Sequence, residues 1–326
     1  MNLLYPLKFT PLFKEKVWGG EKIRTLLGLD FVPLENCGEA WVLSGVPGSQ
    51  TVVSNGFLRG NTLNELVEVY MDELVGEKQF NPDDLHFPIL VKFIDSHDWL
   101  SIQVHPDDAL AAKRRLGNGK TEMWYILDAQ RGAELISGFS QRVNQKVFLD
   151  HLKENRLKEI LNIEQVNRDD VFFIPAGRVH ALGPGVLLAE IQQTSDTTYR
   201  IYDWDRTDKE GSPRELHAEE ALEAIDFGVE KSYRTDFTHA FNETVNLVDC
   251  KAFTTNLLDF SGTLSKDFRS LDSFVIYLCI EGACSLHYPE GIETLKKGEV
   301  ALLPASMEKV FLQPESPCKL LEVYST

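Results

Sequence analysis

An internal repeat constrains the fold of this chain more than any other feature. Asp170-Val-Phe-Phe-Ile-Pro-Ala-Gly resembles Gly298-Glu-Val-Ala-Leu-Leu-Pro-Ala-Ser at an offset of 129 residues, and Trp124-Tyr-Ile-Leu resembles Ile276-Tyr-Leu-Cys at an offset of 152. Each segment is a short apolar, aromatic or β-branched run bounded by turn formers, the signature of a strand. The two offsets differ by 23 residues, so the first copy carries an insertion, and the helical stretch from about Gln141 to Ile163 has that size. The expected architecture is mainly β: two β-rolls, the first interrupted by helices. Residues 1–240 form the first unit with an insert at about 141–163, and residues 241–326 form the second, against which the N-terminal strands can pack. In this alignment Phe274 stands where the first copy has Glu122, and Lys309 where it has His180.

Four segments read as helices. Thr62 and Glu65 make a capping box ahead of Leu63, Leu66, Val67, Tyr70, Met71 and Leu74, spaced for one apolar face, with Gly76 as the stop. Pro106 to Leu116 ends at Gly117, and Asn144 to Leu161 reads as one or two helices. Ser212-Pro213-Arg214-Glu215 combines a cap, a proline for the first helical position and a capping-box glutamate before Ala221, Leu222 and Ile225.

Composition excludes several partners. The chain of 326 residues has 50 acidic and 33 basic residues, a net charge of -17. A polyanion such as nucleic acid or an anionic membrane is repelled by that field, so an anionic small molecule must be drawn in by a local basic cluster. No apolar run approaches the roughly 20 residues of a membrane span. The start, Met1-Asn-Leu-Leu-Tyr-Pro, lacks the charged and apolar regions of a signal peptide. The five cysteines are odd in number and include no Cys-x-x-Cys pair, which fits reduced thiols. A cytoplasmic protein, monomeric or a small homo-oligomer, is expected.

Within the first copy, Ser101-Ile-Gln-Val-His-Pro, Lys120-Thr-Glu122 and Pro175-Ala-Gly-Arg-Val-His180 gather two imidazoles, a carboxylate and a carboxamide at strand-like positions. These are the donors of a mixed nitrogen and oxygen site for a borderline divalent ion such as zinc. Gln103 and His105 are two apart, so an extended strand sends both to one face. The turn at Gly177 can aim His180 inward. Lys120, two before Glu122, is a candidate proton carrier, because a neighbouring cation favours the neutral amine. Lys92, Ser101 and Arg206 are candidate phosphate or sugar contacts, and Trp18 offers an aromatic wall beside Gly19 and Gly20. His97 fits no part of this pattern and reads as solvent-facing or satisfied in the core.

The wider context carries a family resemblance. The Pro-x-Gly-x-x-His segment, with the His and Glu ahead of it, is similar to cupin motifs. Leu100-Ser-Ile-Gln-Val-His-Pro, Gly119-Lys-Thr-Glu-Met and Ser195-Asp-Thr-Thr-Tyr-Arg resemble segments of type I phosphomannose isomerases in their short bacterial form. The resemblance runs from Val17-Trp18-Gly19-Gly20 and Gly38-Glu39-Ala40-Trp41 to about Arg206. It implies two cupin-type rolls and one zinc ion held by Gln103, His105, Glu122 and His180. It also implies interconversion of mannose 6-phosphate and fructose 6-phosphate through an enediolate, with Arg200 stabilising that intermediate or handling the proton relay. Two other readings share the barrel: a cupin metal dioxygenase, and a non-catalytic sugar-binding protein of two cupin rolls. Gln103 and Lys120 suit redox-neutral proton transfer better than either.

Overall fold

A computed structural model describes residues 4–207 and 211–325. The first roll has a six-stranded antiparallel sheet in the order Val171–Ile174, Glu122–Ala129, Val186–Gln193, Ile89–Ser96, Glu39–Leu43, Leu12–Lys14. Its partner is a five-stranded sheet in the order Tyr199–Tyr202, Ile102–Val104, His180–Leu182, Glu134–Phe139, Leu161–Gln165. The second roll pairs a seven-stranded sheet with a four-stranded one of Leu264–Asp267, Lys309–Pro314, Ala283–Tyr288 and Gly291–Lys296. The N-terminal strand Leu7–Thr10 joins the seven-stranded sheet by pairing with Val300–Leu303. The mainly β expectation holds.

Strand alternation decides which side chains meet. Trp124 and Ile126 point into the first roll with Ile94, Leu135 and Leu182. Met123 and Tyr125 leave the opposite face and pack with Ile276, Leu278 and Val323 of the second roll, so the two large sheets lie back to back over a shared apolar core. The second roll has its own interior, built from Val275, Tyr277, Leu258, Val310 and Leu312. The outer face of the five-stranded sheet, with Ile102, Val104 and Ile201, is covered by Leu110, Phe148 and Ala221 from the helical segments.

The repeat is present, with a correction to its register. Phe172 pairs with Trp124 in the first roll, and Ala301 pairs with Tyr277 in the second. Tyr277, not Ile276, is therefore the counterpart of Trp124, and Val275, not Phe274, stands in the place of Glu122. Because side chains alternate, that single residue reverses the face: Phe274 belongs to the core between the rolls. Lys309 likewise is exposed and lies over the Phe311 ring, while its neighbour Val310 points inward.

The helix Leu63–Val75 carries the expected capping box, with Thr62 accepting from the Glu65 amide and Glu65 from the Thr62 amide, but it breaks at Met71, where φ is 49° and the side chain is exposed instead of joining the apolar face. Asp107 caps Asp108–Arg114 and Asn144 caps Gln145–Lys153, which is followed by a 3-10 turn at Leu157–Glu159. The last expected helix is shorter, spanning only Ala218–Ala224. Pro213 instead bridges to Thr207, and Arg214 is pulled onto Asp203, which outweighs the local capping signal. Among the described residues no helix is long and apolar enough to cross a membrane. All five cysteines are free.

Candidate metal centre

A row of directly opposed residues runs across the five-stranded sheet: Arg200, Gln103, His180 and Ser137. Opposed residues share a face, here the one toward the six-stranded sheet. From that second sheet Glu122, the first residue of its strand, points inward on the same face as Trp124. His105 follows the strand Ile102–Val104 and closes the group. Its carbonyl accepts from Gly177 N at 2.9 Å, which ties the turn before His180 to the His105 segment. Gly177 has φ +89°, a conformation that glycine adopts without strain.

The cluster is buried and its donors converge. His105 Nε2 lies 3.4 Å from Glu122 Oε2, and His180 Nε2 lies 3.3 Å from Glu122 Oε1. Gln103 Nε2 is 3.1 Å from His180 Nε2. Each imidazole is oriented from behind: Nδ1 of His105 is 3.0 Å from the Thr197 carbonyl, and Nδ1 of His180 is 2.8 Å from that of Arg178. A carbonyl accepts only, so each Nδ1 carries the proton and each Nε2 turns its lone pair inward, the arrangement of metal-ligating histidines. Burial, followed by the Lys120 charge, holds His105 well below its ordinary pKa, and burial lowers His180 to about 4. Both rings are therefore neutral near pH 7, as ligation requires.

Glu122 supplies the test of fit. It is fully buried, and neither carboxylate oxygen has a hydrogen-bond partner among the described residues. Burial and then the Glu190 charge raise its pKa to about 7. A buried carboxylate is costly unless donors or cations answer it, and the Lys120 ammonium beside it approaches only Oε2, at 3.4 Å. The residues present therefore suit a divalent ion with nitrogen and oxygen ligands.

Beside the cluster lies a polar cavity of about 310 Å³. Lys120, Arg200, Ser101, Trp18 and Lys92 all line it. Lys120 Nζ is 3.1 Å from His105 Nε2 and 3.4 Å from Glu122 Oε2. Trp18 is held by a tight turn in which a Cβ on Gly20 would lie 2.5 Å from Asp95 Oδ2. The Lys92 ammonium is taken up by Glu190 at 3.0 Å and Gln192 at 2.7 Å. The charges of Glu190 and Glu39 raise its pKa against the effect of burial. Arg206 is not among the lining residues, because its guanidinium donates to the Trp99 carbonyl at 2.6 Å and to Asp203 at 2.6 Å. His97 is exposed.

Lining residues that the sequence reading passed over include Lys16, Glu39, Glu190, Asp196, Arg214 and His217. Strand alternation could have found Glu190, which faces inward beside Trp124. Arg214 and His217 were hidden by the apparent helix start. His217 is locked to Arg200 both ways: its amide donates to the Arg200 carbonyl at 2.7 Å, and the Arg200 amide donates to His217 Nδ1 at 3.2 Å.

Duplicated rolls, one with an inward-facing His-Glu-His cluster at a polar cavity, define a two-roll cupin protein. The chain belongs to the type I phosphomannose isomerase family. Residues 6–137 match the family's catalytic domain and residues 243–325 match the mannose-6-phosphate isomerase cupin domain. The chain is 35% identical over 319 residues to mannose-6-phosphate isomerase ManA of Bacillus subtilis, covering 96% of this chain and 97% of that one. It is 34% identical over 306 residues to the mannose-6-phosphate isomerase of Streptococcus mutans, covering 93% of both. A crystal structure of the mannose 6-phosphate isomerase from Bacillus subtilis superposes with a TM-score of 0.88 at 34% identity, over 98% of this chain and 99% of that one. A mutant phosphomannose isomerase from Salmonella typhimurium, 18% identical with a TM-score of 0.78 over 99% and 100% of the two chains, shares the fold.

Proposed function

We propose that this chain interconverts mannose 6-phosphate and fructose 6-phosphate and depends on one divalent ion, zinc, held by Gln103, His105, Glu122 and His180. The observation that carries the reading is the Glu122 carboxylate: buried, without a hydrogen-bond donor among the described residues, and within 3.4 Å of two inward Nε2 atoms. A divalent ion bound there supplies Lewis-acid polarisation of the sugar oxygens.

The chain's own residues do the rest. Lys120 Nζ, at the edge of cluster and cavity, acts as the free amine: it takes the proton from the carbon beside the carbonyl and returns it one carbon away, while the hydroxyl proton passes between the two enediol oxygens. Arg200, directly opposite Gln103, sets its guanidinium against the charge that develops on the enediolate oxygens. His217 fixes the Arg200 backbone. Trp18 walls the cavity, and Ser101 offers a hydroxyl. Lys92 acts through Glu190: the pair fixes that carboxylate against Trp124 Nε1, which donates to it at 2.9 Å. The second roll contributes packing, not ligands, and the boundary near residue 240 separates the two roles.

The test is mannose 6-phosphate in deuterated water. Fructose 6-phosphate should form, with label entering at the carbon that receives the proton. Absence of turnover in protein loaded with zinc would overturn the assignment.

A further inference from the structure

Among the described residues five cationic side chains line the cavity: Lys16, Lys92, Lys120, Arg200 and Arg214. Three are answered by carboxylates on the spot. Lys16 pairs with Glu39 at 3.0 Å, Lys92 with Glu190 at 3.0 Å, and Lys120 with Glu122 at 3.4 Å. Arg200 and Arg214 remain. Asp203 accepts from Arg214 Nε at 2.6 Å and from Nη2, and it accepts from Arg206 Nη2 as well. One buried carboxylate therefore serves two guanidinium groups. Arg200 reaches only the Glu215 carbonyl, at 2.8 Å, and its buried Nε has no hydrogen-bond partner among the described residues. Burial and then the like charge of Arg214 disfavour the Arg200 cation. Asp98 lies 3.6 Å from Arg206 Nη1 and Asp196 lines the cavity, and among the described residues neither forms an ion pair with Arg200 or Arg214.

We infer that Arg214, clamped by Asp203, is the anion-recognising residue of the cavity and selects sugars that carry a phosphate ester. Asp203 occupies the Nε and Nη2 edge of the planar guanidinium and leaves Nη1, which has no hydrogen bond among the described residues, for the ligand. Holding the fork in place lowers the entropy lost when an anion binds. Arg200 adds the second positive charge that a dianionic phosphate calls for. Arg206, the arginine favoured from sequence, acts behind Asp203 and steadies it. The inference rests on the sugar phosphate reading above and adds the residue that discriminates phosphorylated from unphosphorylated sugars.

Arg214→Ala, Arg214→Lys and the wild type, each loaded with zinc, are to be compared in three measurements. These are steady-state kinetics with mannose 6-phosphate, calorimetric titration with inorganic phosphate, and inhibition by mannitol, a neutral polyol. Loss of a charge-assisted pair should raise KM roughly 10- to 100-fold and weaken inorganic phosphate by a similar factor. The kcat should stay within about threefold and mannitol inhibition should be unchanged. Arg214→Lys, which keeps the charge but not the fork, should fall between. A KM and a phosphate affinity within twofold of wild type in Arg214→Ala would overturn the inference, as would an equal loss of mannitol binding. If the wild type failed to turn over mannose 6-phosphate, the functional reading would fall. Phosphate titration would then still decide the role of Arg214.

Discussion

His180 stands directly opposite Gln103 across an antiparallel strand pair, with the carboxamide nitrogen 3.1 Å from the imidazole Nε2. The Nδ1 proton of His180 is committed to the Arg178 carbonyl, so the amide donates into the lone pair that a cation would use. Ligation by Gln103 needs its oxygen, which here lies 3.5 Å from Ser101 Oγ. Turning the amide over exchanges these two contacts without moving the strand. In the proposed metal centre, ligation by Gln103 therefore requires this turn of the amide, whereas His105 and His180 are already aimed.

Removing the metal with a chelator should abolish activity, and adding zinc should restore it. His105→Ala or His180→Ala should lower the metal bound per chain, measured by elemental analysis. Lys309→Ala should leave it unchanged, because that side chain points away from the second roll's interior. Full activity in verified metal-free protein would refute the metal centre.

Lys120 and Arg200 should separate from the ligands by experiment. Lys120→Ala or Arg200→Ala is expected to keep zinc while kcat falls on the order of 10²-fold or more. The Arg200 variant should lose more in kcat than in KM, since its contact strengthens in the transition state. Normal turnover in both would remove them from the mechanism.

Glu122 should make the metal-free protein sensitive to pH. Its pKa rises from 4.5 to about 7 on folding, so the native state binds more protons between those values. Stability conferred by the neutral acid is present below pH 4.5 and lost as pH rises through 7. His180, lowered from 6.5 to about 4, has the opposite slope: neutral and harmless above 6.5, it costs stability as pH falls toward 4. Glu122→Gln should therefore flatten the fall in stability of metal-free protein between about pH 5 and pH 8, while the stabilisation by added zinc disappears. A pH dependence of the melting temperature equal to that of metal-free wild type would contradict the titration assigned to this carboxylate.

The second roll holds an ion pair in its interior. Lys266 Nζ lies 2.8 Å from Glu322 Oε2, which also accepts from Tyr277 Oη at 2.8 Å. The pair Lys266 and Val310 lies on strands corresponding to those of Gln103 and His180. Lys266→Ala leaves Glu322 buried without its cation and should cost roughly 3 kcal/mol or more in chemical denaturation. Zinc content and kcat of the folded fraction should be unaffected. A loss below about 0.5 kcal/mol, the range of exposed pairs, would show that the pair is solvated.

Local chemistry in the sequence determined the start of the helix Leu63–Val75, whose capping box involves only neighbours, and the alternating runs that form the strands, but not the break at Met71. It also determined the candidate ligand set, because Gln-Val-His on a strand, the Glu that opens another and the His after a Gly turn each carry their geometry within a few residues. Only the tertiary structure decided which faces those runs present: the repeat reads equally well one residue out of register, and only pairing of Tyr277 with Ala301 sends Phe274 away from the second roll's interior. The cations were beyond local reading for the same reason. Lys92 is answered by Glu190 from a neighbouring strand, and Arg214 leaves a well-marked helix start to meet Asp203. A charge is free or committed according to partners far away in the chain, and propensity, which acts over one turn or one strand, carries no information about them.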